Sequence, residues 1–292
     1  MTPNDQEEAE SEEMVATLLV KYIEYDVIGV AVGCMKRFDE NIMEEQDALY
    51  TCFQVVESIM EGSDDPEIAT KIGASGSFLI YLLKRLRGRT INSIKIYAGE
   101  MLAVLLQNSD ANREKVGAAE GVDILLKQLA NFKKKDPKDA EEIELMENLF
   151  NCLCSILQFT PNRKKFLDGE GLHLMNLMLK ERKMSRNSAL KVIDHALSGK
   201  EGIENCEKFV EILGLRTLFP LFMKTPKRNK KSGHTENDHE EHIISIIGSL
   251  LRNLKDNKPR DRLVAKFVEL DHAKTDRLLE LHFKYMDKVD EG

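Results

Sequence analysis

Three groups of residues have the types needed for chemistry. His239 and His242, with His234 nearby, form an HEEH run whose two end histidines are three residues apart, one helical turn on an amphipathic face. Cys152 and Cys154 form a CLC run. Zinc needs a tetrahedral set of four nitrogen or sulfur ligands, usually spaced as in HExxH or paired CxxC, and neither run completes one. The CLC pair reads instead as small side chains packed in an apolar stripe. Asp194, His195 and Cys206 could supply an acid, a base and a nucleophile, but their proximity in sequence provides neither an oriented nucleophile nor an oxyanion donor. The chain also lacks a GxxxxGK phosphate loop, a nucleophile elbow and a kinase signature. These residues therefore predict a non-enzymatic protein, with no catalytic or metal-binding residue and no cofactor.

The backbone expected to carry these residues is helical. Only seven prolines interrupt 292 residues, and Leu, Ile, Met, Glu and Lys recur in runs longer than a typical strand. The composition, 42% hydrophobic and 32% charged, suits a large core. A net charge of -8 argues against a surface dominated by phosphate contacts and favours a positively charged peptide as partner. Cys34, Cys52, Cys152, Cys154 and Cys206 are an odd number in a long chain, which predicts reduced thiols in a cytosolic or nuclear protein. The opening MTPNDQEEAESEE has none of the features of a secretory signal. Apolar runs elsewhere stop well short of the ~20 residues that a membrane span needs, so a soluble protein without a membrane partner is expected.

The most informative pattern is internal similarity. NREKVGAAEGVDILLKQLANF from Asn112, NRKKFLDGEGLHLMNLMLKER from Asn162 and NCEKFVEILGLRTLFPLFMKT from Asn205 each open on Asn. Each then places Val116, Phe166 or Phe209 four residues on, and passes through a glycine into a second apolar stretch. A weaker copy, EIATKIGASGSFLIYLLKRL, ends at Leu86. The spacing is near the ~40 to 47 residues of armadillo and HEAT repeats. Longer helices are predicted near Met14 to Arg37, Gln46 to Glu61, Ile94 to Gln107, Glu141 to Gln158, Ser185 to Leu197 and His239 to Leu254. Shorter ones follow at Arg260 to Leu270 and Thr275 to Met286. In the fourth, Leu145, Leu149, Cys152, Leu153, Ile156 and Leu157 make one stripe for burial.

Gly73, Gly121 and Gly171 suit sharp corners between helices. Pro220 should start or kink a helix. A single helical triplet leaves an apolar face open, and stacked copies close it. The expected organisation is an acidic flexible N-terminus at 1–12, an armadillo-like domain at 13–288 with charged loops near 131–142 and 224–238, and a flexible end at 289–292.

Several tracts are more specific than the period. ENLFNCLCSIL from Glu147, NRKKFLDGEGLHLMNLML from Asn162, SALKVIDHA from Ser188 and CEKFVEILGLRTLFPLFMK from Cys206 resemble the beta-catenin-like protein 1 family, spliceosome-associated nuclear armadillo proteins. The resemblance runs from about Ile68 to Met286, and EEMVATLLVKYI and DALYTCFQVVESIM look like the family's preceding repeat. It implies an all-α, armadillo/HEAT-like right-handed superhelical solenoid. It also implies nuclear localisation and scaffolding in pre-mRNA splicing. The partners implied are spliceosomal proteins, above all basic localisation-signal-like segments of a cell-division-cycle-five-like component of the Prp-nineteen-associated assembly. Vertebrate members are also linked to an antibody-diversifying cytidine deaminase. Family members carry additional N-terminal acidic and nuclear-targeting segments and a C-terminal helical continuation, so a fragment or a short product is one expectation for this chain.

In armadillo units the longer helix lines the concave face, which makes its polar residues the binding candidates. Glu100, near a groove-facing position, could receive a Lys or Arg of an extended peptide; an intramolecular contact is the plainer alternative. Glu144, Glu147 and Asp194 would extend a negative track, although acids near a helix start also suit the helix dipole. Asn148 and Asn151 could bind a ligand backbone, and a solvated face predicts the same residues. Phe150, Cys154 and Met175 read as core. Lys224, Lys227, Arg228, Lys230 and Lys231 form a basic run for an acidic partner or RNA, or simply a solvated loop. No aromatic platform accompanies this run, so RNA association is expected to be indirect. A general armadillo adaptor in transport or signalling, a direct RNA binder and a homodimer stay open as alternatives.

Overall fold

The structure, a computed structural model, describes residues 14–290 apart from 16, 41, 64, 76, 227–234 and 256–257. The predicted N-terminal tail at 1–12, most of the basic loop and residues 291–292 lie outside the described residues. Every regular element among the described residues is helical. The chain divides into two compact units, one comprising 1–128 with 138–162 and the other 129–137 with 163–292.

In the first unit, helical residues 17–24 lead into α1 (Val27–Met35), α2 (Met43–Glu61), α3 (Ile68–Ala74), α4 (Phe78–Arg87), α5 (Ser93–Gln107), α6 (Asp110–Ala118), α7 (Gly121–Leu129, its last residue in the second unit) and α8 (Ala140–Ile156). The sequence pattern joins 14–37 into one helix. It is broken at Asp26, which takes a left-handed backbone (φ 49°) and whose carboxylate accepts a hydrogen bond from Gly29 N at 3.1 Å. Apolar residues recur on both sides of that break, so periodicity alone conceals it.

The long helices α2, α5 and α8 pack side by side, with α5 in the middle. Leu102, Leu105 and Leu106 of α5 and Leu149 and Leu153 of α8 are buried. Gly99 allows α8 to come close, since a β-carbon there would already touch Leu145 at 3.4 Å. Side-chain caps fix where these helices begin: Asn92 Oδ1 accepts from Lys95 N at 2.9 Å, and Asp139 Oδ1 accepts from Glu142 N at 2.8 Å.

Two of the three asparagines that open the similar segments, Asn112 and Asn162, are clamps. Asn162 Nδ2 donates to Ile156 O at 3.1 Å, closing the end of α8, and to Arg113 O in α6 at 2.9 Å. Asn112 makes the same pair of bonds one repeat earlier, to Leu105 O at 2.9 Å and Ala69 O at 2.8 Å. To reach a carbonyl in the short helix of the preceding repeat, each amide crosses a bare glycine, Gly117 or Gly73, where a β-carbon would land on the asparagine itself. Gly73 thus lies inside a helix rather than at a corner.

The true corners have a different division of labour. Glu120, Glu170 and Leu213 take the left-handed backbone (φ 61°, 59° and 66°), and the glycine that follows each makes room for Val116, Phe166 or Phe209. What the glycine supplies at these corners is space, and the unusual backbone angle belongs to its neighbour.

The second unit holds α9 (Thr160–Asp168, from Arg163 on), α10 (Gly171–Glu181), α11 (Arg186–Leu197), α12 (Ile203–Glu211), α13 (Gly214–Met223), α14 (Glu236–Asn253), α15 (Lys258–Val268) and α16 (Ala273–Asp290). Here α11 packs against both α10 and α14. Pro220 neither starts nor ends α13; it sits inside the helix. Thr235 and Asp238 form a reciprocal capping box that starts α14. The stretch predicted as a surface loop near 131–142 is tied down in part, since Phe132 is buried and Asp136 Oδ1 accepts from Met184 N at 2.8 Å. Repeated helix-on-helix packing within each unit is that of an armadillo/HEAT-like solenoid.

Candidate functional site

A pocket of about 270 Å³ opens between α2 and α5. Met60, Met101 and Val104 give it an apolar lining, and Glu57, Glu61, Glu100 and the phenol of Tyr97 supply the polar groups. The Tyr97 hydroxyl donates to Glu57 Oε2, a contact that fixes both side chains. Burial, followed by the charges of Glu144 and Glu57, holds the Glu100 carboxyl above its ordinary range. Burial, the bond to Glu57 and the surrounding carboxylates raise the Tyr97 phenol likewise. Like charges held this close lower the cost of admitting a cation. An aliphatic stem against Met and Val with a charged head among carboxylates is how a lysine or arginine side chain is accommodated.

Of the sequence candidates, Glu100 lines this pocket and Glu144 contributes to its field. Glu147 is half-buried on α8 and Asn151 is exposed. Asn148 faces the packing of α8 against α5, and its Nδ2 is buried without a hydrogen-bond partner. Asp194 belongs to the second unit, where its Oδ1 accepts from Ser245 Oγ at 2.5 Å and its Oδ2 lies 2.9 Å from His242 Nδ1. Lys224 is exposed at the end of α13, whereas Lys227, Arg228, Lys230 and Lys231 lie outside the described residues.

Sequence reasoning missed Glu57, Glu61 and Tyr97. Glu57 and Tyr97 are 40 residues apart, and only the packing of α2 on α5 brings them together. The available signal was that both lie on predicted long helices one repeat apart.

The residues first considered for catalysis have other roles. Asp194 pairs with His242, a residue of α14. Cys206 is buried with its Sγ at 3.5 Å from both Leu197 O and Asn253 Nδ2, and burial pushes its thiol up to about 11. Cys152, Cys154 and His239 are buried. Among the described residues no three His, Cys, Asp or Glu side chains are grouped to hold a metal, and no helix is long and apolar enough to cross a membrane.

Helical triplets whose long helices pack side by side, with a charged pocket between two of them, define an armadillo/HEAT-like repeat protein. Residues 1–292 match the model of the family described as "Catenin-beta-like, Arm-motif containing nuclear". The chain is 51% identical over 281 residues to Beta-catenin-like protein 1 of Bos taurus, covering 96% of this chain and 49% of that protein. The Homo sapiens protein of that name is 51% identical over 278 residues, covering 95% and 49%. The Schizosaccharomyces pombe homolog is 34% identical over 269 residues, covering 91% and 46%. The chain thus spans about half the length of these relatives. A crystallised engineered protein shares the fold, with a TM-score of 0.59 at 16% identity over 83% of this chain and 87% of its own. The chain belongs to the catenin-beta-like, Arm-motif containing nuclear family.

Proposed function

We propose that this chain is a protein-binding scaffold of pre-mRNA splicing whose first unit takes a lysine or arginine of an extended basic segment into the pocket between α2 and α5. The observation that carries this reading is the pocket itself, where three carboxylates stand over a Met and Val lining. A phosphate backbone would be repelled there. The segments that fit are localisation-signal-like, of the kind the family resemblance implies for a cell-division-cycle-five-like factor of the Prp-nineteen-associated assembly. Rigid helical placement of the carboxylates keeps the ordering cost of recognition low.

The test is titration of a fluorescent basic localisation-signal peptide, with a matched peptide carrying alanine at its basic positions and a short RNA as controls. The basic peptide should bind and the two controls should not. Glu100→Lys should weaken the peptide at least tenfold with an unchanged helical spectrum, since it removes one attraction and adds one repulsion. Asp194→Asn should leave the affinity unchanged, because both oxygens of that carboxylate are engaged inside the second unit. Equal affinity of wild type and Glu100→Lys would reject the pocket as the receptor.

A further inference from the structure

A second cavity of the first unit has the opposite character. It measures about 640 Å³ and lies where the turn between α1 and α2 meets the corner between α4 and α5. Arg37, Lys84, Arg85, Arg89 and Lys95 line it, against only two carboxylates, Asp39 and Glu40. That is a surplus of three positive charges in one concavity of a chain whose net charge is -8. Glu40 is already satisfied by Arg85 and by Asn92 Nδ2 at 3.0 Å.

The remaining cations are not neutralised. Arg37, Lys84 and Arg89 are exposed and form no ion pair among the described residues. Lys95 is 3% exposed, yet its Nζ donates only to neutral oxygens, Gly88 O and Gln128 Oε1, each at 2.6 Å. Burial draws its ammonium down to about 8. A buried cation without a carboxylate is costly unless the site gains an anion.

We propose that this cavity binds a phosphomonoester dianion. Guanidinium forks and ammonium groups meeting in one cavity match the three oxygens of a compact dianion, and charge-assisted hydrogen bonds to it are stronger than neutral ones. Single-stranded nucleic acid asks for something else: cations strung along a groove, with aromatic side chains on which successive bases stack. Here the cations converge, and Phe38 is the one aromatic in the lining. Phosphoserine in a partner protein and a soluble inositol phosphate present the same chemistry, so the assay must distinguish them.

The experiment uses the full chain labelled with ¹⁵N and follows its amide chemical shifts during three titrations. The probes are a phosphoserine peptide with glycine and alanine flanks beside its unphosphorylated twin, inositol hexakisphosphate, and a short single-stranded RNA. The expected result is saturable shifts at residues 84–95 with the phosphopeptide or the inositol phosphate, at least tenfold tighter than with the unphosphorylated peptide. Saturation by the phosphopeptide assigns the ligand to proteins, and saturation by inositol hexakisphosphate alone assigns it to soluble phosphates. The exposed double variant Lys84→Glu with Arg89→Glu should lose at least tenfold in this affinity while binding the basic peptide at the α2–α5 pocket as wild type does. Equal shifts from the phosphorylated and unphosphorylated peptides with none from inositol hexakisphosphate would overturn the proposal. So would unchanged phosphate affinity in the double variant, or saturation by RNA alone.

Discussion

Asn162 and Gly117 should behave as a single unit, and a double-mutant cycle can read this out. Asn162 is 1% exposed and spends its two amide protons on Ile156 O and Arg113 O. Each bond contributes roughly 1 kcal/mol net, and Ile156 O keeps the bond it accepts from Phe159 N, so Asn162→Ala should cost about 2 kcal/mol. Gly117→Ala places a methyl where the Asn162 amide now lies. The amide must leave its acceptors, a similar loss, partly offset by about 1 kcal/mol because alanine is a better helix former than glycine in the last turn of α6. Once Asn162 is gone the space is free, and Gly117→Ala should become neutral or stabilising. The two effects should therefore fall short of additivity by about 2 kcal/mol.

The chain contains no tryptophan, so urea unfolding is best followed by far-ultraviolet circular dichroism, with hydrogen exchange in α6 and α8 assigning the loss to the first unit. Additivity within about 0.5 kcal/mol would refute the clamp.

Further outcomes follow from single groups. His239 is 3% exposed, and burial, followed by the charge of Arg186, lowers its pKa to about 4. An unfolded imidazole titrates near ~6.5, so the stability gained from burying the neutral ring is complete above that pH and is lost as pH falls toward 4, by roughly 3 kcal/mol. His239→Gln should flatten the unfolding midpoint across that window; an unaltered pH profile would count against it. Phe150 is 1% exposed, and Phe150→Ala should cost about 3 to 5 kcal/mol in denaturant melts without touching phosphate binding. Glu240 is 5% exposed and accepts from Thr225 Oγ1, Lys284 Nζ, Tyr285 OH and Arg277 Nη2 at 2.8, 2.6, 2.8 and 3.3 Å. Glu240→Ala removes four accepted hydrogen bonds, while Arg277 keeps Glu280 at 2.8 Å and Lys284 stays partly exposed, so the second unit should lose about 2 to 3 kcal/mol, with α16 loosening first in hydrogen exchange.

Much of this architecture was legible from period and spacing. Five of the six predicted long helices fall within three residues of their expected bounds, because their apolar stripes are long and three of their starts are marked by Asn92, Asp139 and Thr235. Asn112 and Asn162 mark real clamps, and the following Val or Phe marks a side chain seated on a glycine. Two things were hidden. The break at Asp26 depends on one residue's backbone, which hydrophobic spacing does not record. The pockets depend on pairs such as Glu57 with Tyr97 and Lys95 with Gln128, which meet only after helices from different repeats have packed. Asp194 is a further case, since nothing in its place on a long helix announces that Ser245 and His242 on α14 engage both its oxygens.

The asparagine clamps hold main-chain oxygens, and every residue type except proline presents the same pair of main-chain groups. Nothing on the outward surface of a neighbouring helix is therefore inspected when two repeats join. Mutation is free to rewrite those surfaces for new partners while one amide and one missing methyl keep the joint intact, and successive copies can drift apart in sequence without drifting apart in shape.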